Sequence, residues 1–122
     1  MNIILWALQV FLAFSFGYSG IMKSFQSREK LVSIGQTGVE DLSYSAIRFI
    51  GITETIGALG IIIPWATGIV PVLTPITAIC FAIIMILAMQ IHYKRKEFKS
   101  VALNVMLFCI SVFVAYMRFS HL

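Results

Sequence analysis

The sequence predicts an all-α fold: a four-helix transmembrane bundle with short connections, occupying residues 1–122 as a single domain. Three observations predict it. First, 60% of the 122 residues are hydrophobic and only 11% are charged, whereas an ordinary soluble domain is about one-quarter charged; the mean hydropathy is +0.97. Second, residues 1–22 and 55–93 contain no Asp, Glu, Lys or Arg. Third, proline and glycine cut the longer run in its middle. The same composition excludes a disordered chain, a nucleic-acid-binding domain and an ordinary soluble enzyme.

The first helix is predicted near residues 3–21. A run of this length crosses a hydrocarbon core of about 30 Å as a helix. A secretory signal peptide would open with Lys or Arg, and none precedes this run, so a retained span is expected. Gly17 and Gly20 on it invite close approach of a neighbouring helix. Residues 23–44 form the only long polar stretch. Within it, 27–34 reads as a short amphipathic interfacial helix with Leu31 and Ile34 facing lipid.

The 39 residues of 55–93 would overshoot a bilayer about twofold as one helix. Pro64, Gly68, Pro71 and Pro75 resolve this into a hairpin, with helices near 46–63 and 70–91 and a turn over 64–68. Trp65 in that turn suits the membrane–water boundary. On the second helix Gly51, Glu54 and Ala58 share one face, while Gly57 and Gly60 lie on the other. That helix is therefore expected to pack closely on both sides. A fourth, shorter span is predicted near 101–117.

Charge gives the orientation. With four spans, the first and third loops share a side, and they carry Lys23, Arg28, Lys30, Lys94, Arg95, Lys96 and Lys99. The opposite side carries only Arg118. The bias places the charged loops in the cytoplasm and both termini outside. The net charge of +4 is thus topogenic. Cys80 and Cys109 lie in apolar runs and form no CxxC, so they read as packing residues.

Glu54 is the candidate of most interest, because an ionised carboxylate at membrane depth costs about 2.5–3.5 kcal/mol on insertion scales. It is expected to face the interior and reach across to another helix. Lys23, Arg48, Gln90, His92 and Asn104 fall in the same half of the membrane and complete an expected polar cluster open to the cytoplasm. The other half reads as nearly all aliphatic. Such a cluster either binds something or locks four helices in register. No second His or Cys stands at ligand spacing, so no metal site is expected.

Gly20-Ile-Met-Lys23 closing the first helix, Arg48-Phe-Ile-Gly51-Ile-Thr-Glu54-Thr-Ile-Gly57-Ala-Leu-Gly60-Ile-Ile-Ile-Pro64 forming the second, Pro71-x-Leu73-Thr74-Pro75 opening the third, then His92 and Asn104, together resemble the DoxX-like family of membrane proteins. The resemblance covers nearly the whole chain. It implies a bacterial plasma (inner) membrane location and points to Lys23, Arg48, Glu54, His92 and Asn104. Members have been linked to redox and quinone-related membrane complexes, but the resemblance supplies no reaction.

The leading expectation is a protein that is not an enzyme on its own. It binds a small lipophilic molecule, a quinone or a lipid, or a partner membrane subunit, through the cluster around Glu54. A small proton-coupled transporter and a membrane subunit of an oxidoreductase complex are the alternatives. No resident cofactor is expected beyond a bound quinone. The bilayer is the expected partner, with a homodimer as a further option and no nucleic acid.

Overall fold

A computed structural model describes residues 2–122. The chain is helical throughout its spans, in the order α1 (Asn2–Phe25), α2 (Arg28–Ser33), a 3₁₀ turn (Thr37–Val39), α3 (Tyr44–Gly60), α4 (Ile63–Thr67), α5 (Leu73–Lys94) and α6 (Phe98–Ser120). Four helical segments are long and apolar enough to cross a membrane: α1, α3 continued by α4, α5 and α6. At 1.5 Å per residue each is about 33–36 Å long, enough for the hydrocarbon core.

Three of the four spans run longer than the sequence suggests. The first extends to Phe25 rather than 21, and the fourth covers 98–120 rather than 101–117. Polar residues at the membrane edge continue a helix, because its internal hydrogen bonds are indifferent to where the lipid stops. The third span starts at Leu73, not 70. Val70 has a positive φ of 48°, which a β-branched residue does not adopt within a helix.

The predicted turn over 64–68 is itself mostly the short helix α4. Pro64, near its start, has no N–H to give to the Gly60 carbonyl four residues back. The Thr74 hydroxyl reaches that carbonyl at 3.4 Å, and Gln9 Nε2 donates to the next one, Ile61 O, at 2.8 Å. Gly68, with φ of +72°, ends α4 in the left-handed conformation that glycine adopts without a Cβ penalty.

The helices pair. α1 packs along α3 and α5 along α6, while α1 meets α6 and α3 meets α5 over shorter lengths. Glycine sets the first pairing. A Cβ on Gly20 would sit 2.6 Å from Thr55 N, and one on Gly51 would sit 2.7 Å from Ser24 N. The other face of α3 also packs closely as predicted, since Gly57 gives its space to the Phe81 ring. Phe81 stacks on Phe16 with centroids 3.8 Å apart. This stack sits in the core with Leu12, Ile61, Met85 and Val114.

The segment between α1 and α3 corrects one expectation. Leu31 does not face lipid: it is 0% exposed and packs with Val39 and Ile47. Ile34 is half-buried and turns towards a cavity. A free interfacial helix would present its apolar face outwards. This one is only six residues long and gains more by folding that face onto the end of α3.

Candidate functional site

Both charged loops gather at one end, where the guanidinium of Arg95, in the α5–α6 turn, pairs with Glu40 at 2.9 Å and Asp41 at 3.0 Å. Just inside that end lies Glu54, 2% exposed. As expected it reaches across to another helix. Its Oε1 accepts from Lys23 Nζ and from Ser19 Oγ, both at 3.1 Å and both from α1. Close α1–α3 packing over Gly20 and Gly51 brings these groups within range.

Two cavities flank this pair. One, of about 350 Å³, lies between α1, α5 and α6 and is lined by Ser15, Ser19, Lys23, Glu54, His92 and Asn104 among others. The second, of about 200 Å³, lies between α3 and α5 and is mostly apolar, with Phe49, Ile50, Ile84 and Leu87 on its walls. Lys23, Gln36, Glu54, Met85, Ala88 and His92 line both. The cavities exist because the α1–α3 and α5–α6 pairs touch each other only lightly.

Asn104, on α6, is 7% exposed, and its Nδ2 is buried without a hydrogen-bond partner. A buried unpaired donor costs about 1–3 kcal/mol, and the residue that carries it lines the larger cavity. His92 is held at the rim by Glu97, with Nδ1 and Oε1 2.8 Å apart. The end of α5 places that pair. Lys96 takes a left-handed φ of 59°, Lys96 N donates to Tyr93 O and Glu97 N to His92 O. This double closure folds the Glu97 carboxylate back onto His92. Hydrogen bonding from the Thr37 side chain and from His92, with Arg95 nearby, holds the Glu97 carboxyl below its ordinary range.

Four of the six predicted site residues, Lys23, Glu54, His92 and Asn104, therefore surround one space. Two do not. Arg48 bonds through Nη1 to Lys23 O at 2.7 Å and Gln26 O at 2.6 Å. It caps the free carbonyls at the end of α1, which fixes where Lys23 stands. Gln90 is exposed on α5. No group of three or more His, Cys, Asp or Glu side chains suited to a metal occurs among the described residues.

Sequence reasoning missed Ser19, because a lone serine in an apolar run carries no signal of its own. It also missed a second polar centre in the half read as aliphatic. Arg118 is only 2% exposed. Its Nε donates to Gln9 Oε1 at 2.7 Å and its Nη1 to Asn2 Oδ1 at 2.9 Å. Its guanidinium lies 4.5 Å from the Trp65 ring and 5.6 Å from the Trp6 ring, within cation–π range. Gln9, the one amide inside the first predicted span (3–21), was the available signal. This centre ties α1, α4 and α6 together at the end remote from Glu54.

The model of the DoxX-like family matches residues 7–114 of the chain. No curated protein and no solved structure matches it.

Proposed function

The chain belongs to the DoxX-like family, and from that premise we propose that this integral membrane protein binds a small lipophilic molecule with a polar head. The head, that of a quinone or a lipid, sits against Asn104, Glu54, Lys23 and His92. The apolar part lies between the helix pairs. The charge bias of the loops orients the site towards the cytoplasm of a bacterial inner membrane.

The observation that carries this reading is Asn104. A purely structural network would pair its buried amide with a neighbour, yet Nδ2 has no partner in a residue that lines the larger cavity. That cavity, at about 350 Å³, falls at the lower end of the range of about 300–1,000 Å³ for ligand sites. A molecule that supplies an acceptor there removes the desolvation cost and fills the gap. The Lys23–Glu54 pair is neutral as a whole, which suits an uncharged head.

Asn104→Leu tests it. The substitution deletes the unpaired amide, so stability without ligand is expected to hold or rise. Lipophilic molecules extracted from the purified wild type would then be depleted from the variant. A short-chain benzoquinone and a monoacylglycerol, added separately, should raise the melting temperature of the wild type only. Identical extracts from both proteins, together with no thermal shift from either probe, would defeat the binding reading.

A further inference from the structure

Residues 34–42 lie across the charged end of the helices and contribute to both cavities. Ile34, Gly35 and Gln36 line the larger one, and Gln36, Gly38, Val39 and Leu42 line the smaller. The segment is shaped for this position. At the end of α2, Gly35 has φ of +98°, Gly35 N donates to Val32 O and Gln36 N to Leu31 O. The chain thereby reverses over the cavity mouths. Gly38 then rests on the His92 ring, and a Cβ there would lie 3.1 Å from it.

The two edges of this segment are held by different physics. On the α3 side Leu31, Val39 and Ile47 are buried together, and Arg28 Nη2 donates to Leu42 O at 2.7 Å while its guanidinium lies 4.5 Å from the Tyr44 ring. Apolar burial of that kind is insensitive to salt. On the α5–α6 side the attachment is mainly ionic, Arg95 to Glu40 and Asp41, whose side chains are 51% and 82% exposed. Exposed pairs are individually weak and are screened over a Debye length of about 8 Å at physiological ionic strength.

We propose that residues 34–42 are a roof over the polar cavities, hinged on α3 and latched to the α5–α6 turn by Arg95. The latch edge opens first, and its strength sets how readily Lys23, Glu54 and His92 meet water. As regulation of a binding site the roof rests on the reading given above; as a mechanical device it stands on the geometry of the segment.

Hydrogen exchange on the full chain in lipid nanodiscs tests the latch without any ligand. The Val39, Glu40 and Leu42 amides bond locally to Gln36 O, Thr37 O and Val39 O, so they report on the roof. Arg95→Gln is expected to speed their exchange by roughly two- to thirty-fold, the factor two surface pairs supply. Amides of 28–33 should be unchanged. Raising salt should reproduce the effect in the wild type, with no substitution needed, and add little in the variant. Unchanged roof exchange in both experiments would overturn the latch. So would equal loss over 28–33, since the segment would then detach as a whole. Failure of the benzoquinone and monoacylglycerol to bind would sink the ligand reading and leave the exchange result standing.

Discussion

The Lys23–Glu54 pair makes an asymmetric demand on the fold, and the two single substitutions should differ. Lys23 is 14% exposed and sits near the end of α1, whereas Glu54 is 2% exposed and accepts only from α1. Lys23→Met leaves a buried carboxylate with the Ser19 hydroxyl as its remaining donor. Removing one partner of a buried pair costs about 3–5 kcal/mol. Glu54→Gln is milder. The amide keeps an oxygen for Ser19 and Lys23, and the ammonium can extend to the headgroup level on its flexible stem. The loss is then that of a charged hydrogen bond, about 1.5–3 kcal/mol. In Lys23→Met/Glu54→Met both charges are gone and similar volumes are filled, so stability should return to within about 1 kcal/mol of wild type or exceed it. Equilibrium unfolding in mixed detergent micelles, followed by tryptophan fluorescence and circular dichroism, measures these four proteins together with Glu54→Met, which closes the double-mutant cycle. Equal costs for the two single variants, or strict additivity in the double, would refute the reasoning. The double variant should still lose the extracted ligand, which separates the pair's structural contribution from its binding one.

Gly20→Ala should destabilise by about 1–3 kcal/mol, because the new methyl meets backbone at Thr55 and Gly51; unfolding of the variant beside wild type measures it. Arg118→Lys should cost about 2–3 kcal/mol. A point-charged ammonium cannot lie flat on Trp65 while donating to Gln9 and Asn2 as the guanidinium does, and altered tryptophan emission should accompany the loss. Acid should loosen the roof. The Glu97 carboxyl lies below its ordinary value of 4.5 in the folded chain, held there by Thr37, His92 and Arg95. Its contribution is complete above the unfolded value and is lost as pH falls through the folded one. Roof-amide exchange, corrected for its intrinsic pH dependence, should therefore be flat at neutral pH and accelerate below about pH 4.5; in Glu97→Gln the acceleration should be smaller but not abolished, because the Glu40 and Asp41 carboxylates on Arg95 remain.

Much of this arrangement was legible in the sequence because the membrane imposes strong rules on composition. The number of spans, the proline break, the gathering of charged loops at one end and the inward-facing Glu54 all follow from the cost of charge and of unpaired backbone in lipid. So does close packing on both faces of α3, since glycines at helical spacing leave no other reading. The sequence could not show which cation meets Glu54. Arg48, Lys23 and His92 all fall in the same half of the membrane, and only the crossing of α1 over α3 selected Lys23 and sent Arg48 to the carbonyls of α1.

The sequence by itself determined which segments cross the membrane and where they break, because that depends on local composition. The tertiary structure alone decided what the buried polar groups face, because partners such as Gln9 and Arg118, or Arg95 and Glu40, are distant in the chain and meet only when the spans assemble. The cavities belong to this second class. No residue encodes a space; it remains where two well-packed helix pairs meet imperfectly, and Asn104, whose buried amide neither pair satisfies, is on its lining.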